Sequence, residues 1–156
     1  MRFKKVKVTS DEKISVQYEV KRDTLFDEFS FTTSDKALPT FHEALQALKE
    51  DVREMCELPA EYQERVFVKG VSFSYGGDNE VMGATIIAQL HLKESNVPLN
   101  LCTPHKTSGP YSDGGVDPKT LLSKDCVKRL YNLTSEAEGF VIGIRAQGNL
   151  FAGATK

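Results

Sequence analysis

Apolar and polar residues alternate along the first third of the chain, in runs separated by polar turn residues. The alternating apolar positions are Val6, Val8, Ile14, Val16, Tyr18, Val20, Phe29 and Phe31. A period of two is typical of strands in a sheet that has one face in water. The polar segments 9–12 and 22–23 supply residues that favour tight turns. We therefore predict three strands before residue 35.

The period then changes to that of a helix. A stripe with alternating spacings of four and three residues follows, made of Phe41, Leu45, Leu48, Val52 and Met55. Pro39 suits a first helical position, and Thr40 with Glu43 has the spacing of a capping box. Leu58 and Pro59 end the pattern. The stripe predicts one amphipathic helix of about four to five turns.

Two more strands are predicted, from Arg65 to Tyr75 and from Met82 to Leu92. The segment 76–79, Gly-Gly-Asp-Asn, is a hairpin signal between them, and Gly70 marks a candidate bulge. Residues 93–117 show no period and are rich in proline and glycine, so we predict a long loop there.

A second helical stripe follows this loop. Asp117 and Pro118 have the pattern of an N-cap and a first helical residue. The apolar positions of the stripe are Leu122, Cys126, Leu130, Leu133, Ala137 and Phe140. The order βββαββ, loop, α predicts a single α+β domain over residues 1–143, with an antiparallel sheet of about five strands packed by two helices on one face. Residues 144–156 are predicted to form a flexible tail.

Charge and composition exclude several function classes. The chain of 156 residues has 20 basic and 22 acidic residues and a net charge of −2. This balance disfavours direct nucleic-acid binding, which needs a basic surface. The expected open sheet face is also polar and neutral, with Ser15, Gln17, Glu19, Lys21, Ser72, Ser74, Thr85 and Gln89. No apolar run resembles a membrane span or a signal peptide, so we expect a cytoplasmic protein without a membrane partner.

The tail carries a motif of interest. Gln147, Leu150 and Phe151 form a Gln-x-x-Leu-Phe pentapeptide, which resembles the peptide by which bacterial replication and repair proteins dock on the DNA polymerase sliding clamp. The resemblance implies that the glutamine hydrogen-bonds at the rim of a cleft while the leucine and phenylalanine fill an apolar pocket. A short segment with a compact apolar anchor suits peptide-in-groove recognition. Alternatively, Leu150 and Phe151 fold back onto the sheet.

The chain as a whole also resembles small uncharacterised proteins of bacteriophages and prophages of Gram-positive bacteria. The segments that carry the resemblance are 8–14, 71–77 and 145–151. It implies a setting among replication and host-takeover genes and carries over no catalytic residue. Together with the tail motif, it favours a non-enzymatic accessory protein whose partner is the host sliding clamp.

The loop offers an alternative function. It contains His105, Lys106, Thr107, Tyr111 and Ser112 among several glycines, an inventory that suits an anionic or nucleotide-like ligand. The alternative is a small-ligand protein that sequesters a nucleotide signal of host defence. A solvated connector without a ligand is the simpler interpretation of the same loop.

Evidence for catalysis in the sequence is weak. His42, His91 and His105 are scattered, and the acidic pairs 27–28 and 78–80 are ordinary turn or strand-end residues. Cys56, Cys102 and Cys126 have neither disulfide nor zinc spacing. We predict no catalytic residue, metal or cofactor, and keep a nuclease or phosphodiesterase as a third hypothesis. A homo-oligomer formed through a sheet edge or the open face is a further alternative.

Overall fold

The structure is a computed structural model that describes residues 1–111 and 115–146. The strands are β1 (Arg2–Val8), β2 (Ile14–Arg22), β3 (Leu25–Thr33), β4 (Val66–Gly76), β5 (Val81–Leu90), β6 (Leu99–Cys102) and β7 (Lys106–Thr107). The α-helices are α1 (Pro39–Gln46), α2 (Lys49–Met55) and α3 (Lys124–Val141), and short 3-10 helices span Ala60–Arg65 and Pro118–Thr120. None of the helices in the described ranges has the length and hydropathy needed to cross a membrane.

All strands belong to one antiparallel sheet in the order β3-β2-β1-β4-β5-β6, with β7 also pairing to β5. This confirms the α+β class and the antiparallel sheet. The described residues form seven strands rather than about five, because β6 and β7 lie in the segment predicted as loop. These strands have four and two residues, which is too short to show a period, and Pro98 and Pro104 flank β6.

The two faces of the sheet follow the predicted alternation. Val6, Val71 and Ile86 lie opposite one another on neighbouring strands and are fully buried. They share one core with α1, α2 and α3, and we call this side the helix-covered face. The other side, the open face, carries Lys5, Lys7, Ser15, Gln17, Ser72, Ser74, Gly83, Thr85, Ile87 and Gln89. Glu19, expected among the exposed polar residues, is instead buried beside Arg2.

The predicted bulge at Gly70 is confirmed. The register of β4 against β5 shifts between Val68 and Gly70, and a side chain at Gly70 would lie 2.7 Å from the Cβ of Lys7. The side-chain amide of Gln46 donates to the carbonyl of Val68 at 2.8 Å and accepts from its N–H at 3.0 Å. A helix side chain therefore satisfies both backbone groups at the irregular position.

The first predicted helix is two helices. Its stripe is buried as expected at Phe41, Leu45, Leu48 and Val52, but the helix breaks before α2. Leu48 has φ −77° and ψ −1°, and its N–H bonds Leu45 rather than the residue four back. Pro39 is the first helical residue as predicted. The capping box is wrong, because Leu38 is the N-cap and no side chain caps α1.

The second helix begins later than predicted. Asp117 caps only the 3-10 turn Pro118–Thr120, where its side chain accepts from the N–H of Lys119. The next residues stay extended, since the N–H of Leu122 donates to the carbonyl of Thr107 at 2.8 Å. α3 starts at Lys124, and the hydroxyl of Ser123 accepts from the N–H of Cys126. The stripe from Leu122 to Phe140 is buried as predicted.

Candidate functional sites

The predicted ligand loop lies against one corner of the open face. Thr103 fixes its beginning, because its hydroxyl accepts from the N–H of Ile86 at 2.8 Å and its N–H donates to the Ile86 carbonyl at 3.0 Å. Thr103 is itself buried. The loop therefore leaves the edge of β5 at a defined position.

Glycines on β4 and β5 let the loop approach the sheet. The Nε2 of His105 lies 2.7 Å from the hydroxyl of Ser74. A Cβ at Gly83 would be 2.6 Å from the same Nε2, and a Cβ at Gly76 would be 2.7 Å from the ring of Tyr111. A side chain at either position would force the ring of His105 or Tyr111 to move. The hairpin end of the open face is thus shaped to receive His105 and Tyr111.

The structure divides the predicted ligand residues between two sides of the sheet. Thr107 pairs with Gly83 and lies on the open face, whereas Lys106 pairs with the buried Ala84. Lys106 accordingly lines a small cavity on the helix-covered side with Asp51 and Cys126. The structure brings together His105, Thr107 and Tyr111, and it does not bring Lys106 to them. Ser112 lies outside the described residues.

Ser74 is the residue that the ligand hypothesis missed. Its contact with His105 depends on how β5 pairs with β4 and β7, which no local pattern reveals. A serine and a histidine at this distance are two parts of a nucleophilic relay, which also needs a group to orient the imidazole. Within residues 1–111 and 115–146, no carboxylate is hydrogen-bonded to His105. The hydrogen bond between Ser74 and His105 attaches the loop to β4.

A groove of about 420 Å³ lies on the helix-covered side of the sheet, between the start of β1, the β4–β5 hairpin and α3. The guanidinium of Arg2 dominates it, stacked between the rings of Phe26 and Tyr75 at 4.2 and 4.5 Å. Its Nε lies 2.8 Å from a Glu19 oxygen, and its Nη1 lies 3.2 Å from a Glu80 oxygen. Two carboxylates neutralise this cation, so the groove is a poor site for an anionic ligand.

The acidic pairs considered for metal chemistry do not converge. Asp27 pairs with Arg22 at 2.8 Å, and Glu80 pairs with Arg2. Asp27 and Glu28 are consecutive on β3, so their side chains point to opposite faces. No group of three or more potential metal ligands occurs among the residues that the structure describes.

The beginning of the predicted tail is attached to the domain. The guanidinium of Arg145 lies 4.3 Å from the ring centre of Phe140, donates to the Phe140 carbonyl at 3.2 Å and pairs with Asp35. The N–H of Ala146 donates to the Lys36 carbonyl at 2.9 Å. Gln147, Leu150 and Phe151 lie outside the described residues. Comparison of the chain with descriptions of protein families, with curated proteins and with solved structures gave no match.

Proposed function

We propose that this chain is a non-enzymatic accessory protein that docks on a bacterial DNA polymerase sliding clamp through Gln147, Leu150 and Phe151. One observation carries the proposal: the motif begins directly after Arg145 and Ala146, the residues that attach the chain to the domain. A peptide that follows a fixed point stays close to the domain that it would recruit or block.

The side chain of Arg145 is suited to fixing the chain just before the motif. Arg145 contacts the Phe140 ring, the Phe140 carbonyl and the Asp35 carboxylate, and its guanidinium also faces the Phe31 ring at 5.9 Å. Arginine is the side chain that combines stacking with directional hydrogen bonds in this way. None of the sites in the described residues has a complete set of catalytic groups. We therefore propose a function in protein recognition.

The motif also sets an expected strength. The common form of the clamp peptide has leucine second and serine or aspartate third, where this chain has Gly148 and Asn149. Glycine adds chain entropy that binding must remove and gives up one apolar contact. We expect a dissociation constant in the micromolar range, about −8 kcal/mol.

Calorimetry with a purified sliding clamp from a Gram-positive bacterium tests the proposal. The intact protein is compared with the double variant Leu150→Ala, Phe151→Ala, which removes both apolar anchors. We expect binding by the intact protein and a loss of at least about tenfold in affinity for the variant. Equal binding by both proteins would refute the assignment to these residues.

Two controls make the result specific. Thr155→Ala changes the same segment outside the motif and is expected to bind like the intact protein. A chain ending at Ala146 keeps the contacts of Arg145 and Ala146 and is expected not to bind. If the intact protein fails to bind at clamp concentrations of roughly 100 μM, far above the expected constant, the resemblance of the motif is coincidental.

A small-ligand function is the second candidate. It is favoured by the gathering of His105, Thr107 and Tyr111 on one side of the sheet, beside Ser74. The ligand would be a nucleotide signal that the protein sequesters. This candidate has less support than docking, because Lys106, the cation of the predicted set, faces the other way.

Thermal unfolding in the presence of mononucleotides, dinucleotides and cyclic nucleotides tests the second candidate. A ligand at 100 times its dissociation constant adds about 2.7 kcal/mol of apparent stability. We expect any such shift to disappear in His105→Ala. A panel that leaves the transition unchanged removes the candidate without affecting the docking proposal.

A further inference from the structure

The two edges of the sheet are built differently. One edge is made of β6 and β7, which are short and interrupted by Thr103, Pro104 and His105. The other edge is β3, a regular strand of nine residues that pairs with β2 along its whole length. Natural sheets commonly shorten, break or cover an edge, because unpaired backbone groups invite another strand. The first edge shows these devices in the described residues, whereas β3 is long and regular and carries only the charges of Asp27 and Glu28.

An aromatic row runs to the β3 edge and stops there. Phe3, Tyr18 and Phe29 are direct partners on β1, β2 and β3. Their ring centres are 6.0 and 5.2 Å apart, and Tyr18 and Phe29 are stacked at 15°. Phe29, the last ring, is 43% exposed. An aromatic side chain opposite Phe29 on a further strand would continue the row.

We propose that β3 is an interaction edge for a second copy of this chain, paired antiparallel about a two-fold axis at Phe29. Phe29 is the midpoint of Leu25–Thr33, so this axis pairs the strand with its symmetry mate over all nine residues. Phe29 then lies opposite the Phe29 of the other copy. The aromatic row doubles in length, and the two sheets become continuous.

The charges of β3 support this register. With the axis at Phe29, Asp27 lies opposite Phe31 and Glu28 opposite Ser30 of the other copy. An axis at Glu28 or at Asp27 would place a carboxylate directly opposite its own copy, which is unfavourable. Leu25, which is 73% exposed, lies opposite Thr33 in the favoured register. In this register no carboxylate lies directly opposite another, and the two Glu28 side chains are diagonal neighbours across the axis.

Charge reversal at the axis gives a direct test, with molar mass measured by sedimentation equilibrium of the full chain. A residue on the axis meets itself, so Phe29→Glu and Phe29→Lys each place like charges together. We expect each variant alone to weaken dimerisation at least about tenfold. An equimolar mixture of the two places glutamate opposite lysine, and we expect the dimer to return as a mixed species.

Phe67→Glu is the matched control. Phe67 is 39% exposed but lies on the central strand β4, so its replacement is expected to leave the dimer intact. Circular dichroism and thermal unfolding of every variant separate loss of pairing from loss of fold. The mixing experiment also guards against a folding artefact, since two misfolded variants do not restore each other.

Three results would overturn the proposal. The first is a wild-type chain that stays monomeric up to roughly 1 mM, where even a weak interface associates. The second is a dimer that persists in Phe29→Glu. The third is a mixture that fails to restore the dimer. A monomer whose outer β3 amides are protected from hydrogen exchange would assign the edge to another part of the same chain.

Discussion

The helices and the loop contact the two faces of the sheet in different ways. On the helix-covered face, residues far apart in sequence share one buried core. In it, the ring centre of Phe140 lies 6.0 Å from that of Phe41 and 6.4 Å from that of Phe31. On the open face, the loop is held by the backbone pairing of β7 with β5 and by a side-chain hydrogen bond between His105 and Ser74, and Gly76 and Gly83 leave room for it. The helix-covered face depends on large side chains that fill the core. The open face depends on glycines, whose missing side chains leave room for the loop. Substitutions on the two faces should therefore fail for opposite reasons.

Phe140→Ala should give the largest effect on the helix-covered face. Phe140 is 1% exposed and joins α3 to both α1 and β3. Its removal leaves a cavity that the rigid surroundings cannot fill, at a cost of about 3–5 kcal/mol in the free energy of unfolding. Urea denaturation measures this cost. A loss below about 1 kcal/mol would contradict the packing described here.

Asp51→Ala should rank second, because it removes a buried charge partner between α2 and α3. Asp51 is 2% exposed and accepts two hydrogen bonds from Arg129, at 2.8 and 2.9 Å. Arg129 then keeps its longer contact with Glu50 and some contact with water, so we expect a loss of about 2–3 kcal/mol, below the usual cost of breaking a buried pair.

The neighbouring Glu50→Ala is the control for this pair. Glu50 lies 3.6 Å from the same guanidinium but is 48% exposed, and exposed pairs contribute little. Urea denaturation of both variants makes the comparison. Equal destabilisation by the two substitutions would show that the Asp51 contacts are not specific.

The helix-covered face was the more predictable of the two. The period-two runs and the two helical stripes named many of its buried residues, such as Val16, Leu45 and Leu130, because burial leaves a repeating mark in the sequence. The break at Leu48 and the late start of α3 were not predicted. Each lies close to a contact with a distant strand, namely the Gln46 side chain with the Val68 backbone and the Leu122 N–H with the Thr107 carbonyl, and such contacts leave no local pattern.

Gly83→Ala should give the largest effect on the open face. The new Cβ would lie 2.6 Å from both His105 Nε2 and Ser74 Oγ, so these two side chains must shift and their hydrogen bond is disturbed. We expect a loss of about 1–3 kcal/mol, typical of overpacking. Gly115→Ala is the control, since no atom of the residues that the structure describes lies within 4 Å of its added Cβ. Urea denaturation that shows no difference between the variants would contradict the close contact with His105.

Tyr75→Phe tests the edge of the helix-covered face through the pH dependence of the free energy of unfolding. The Tyr75 hydroxyl donates to the Phe3 carbonyl at 2.7 Å, and burial raises the pKa of Tyr75 to about 12. The unfolded chain loses this proton near pH 10 and the folded chain does not, so Tyr75 lowers stability as pH rises from 10 to 12. The variant should lose about 1 kcal/mol at pH 7 and show a shallower alkaline decline.

Thermal unfolding from pH 8 to pH 12 measures this difference. Tyr131→Phe changes an exposed tyrosine on α3 and is expected to keep the wild-type profile. If Tyr75→Phe declines as steeply as the wild type, the hydroxyl is not held in its protonated form by the fold.

The open face was predicted as a polar surface but not as a site. The loop composition singled out His105, Lys106 and Thr107 together, although alternation along β7 sends Lys106 to the opposite side. The strand was not foreseen because two residues cannot show a period. Ser74 and the glycine clearances depend on the register of three strands, so only the assembled sheet reveals them. The Gln-x-x-Leu-Phe segment proposed for docking is local in sequence and needs no register to be recognised.

Ser74→Ala should have the smallest effect and is the sharpest test of how the open face works. It removes the hydrogen bond to His105 without adding volume, and partly exposed hydrogen bonds contribute about 1 kcal/mol or less. We expect unchanged cooperative unfolding but faster hydrogen exchange in residues 105–111, because the loop loses its tether while the core stays closed. Gly83→Ala should also release the loop, but at a cost to global stability. If Ser74→Ala destabilises the whole domain as much as Gly83→Ala, the hydrogen bond rather than the cleared space holds the loop on the sheet.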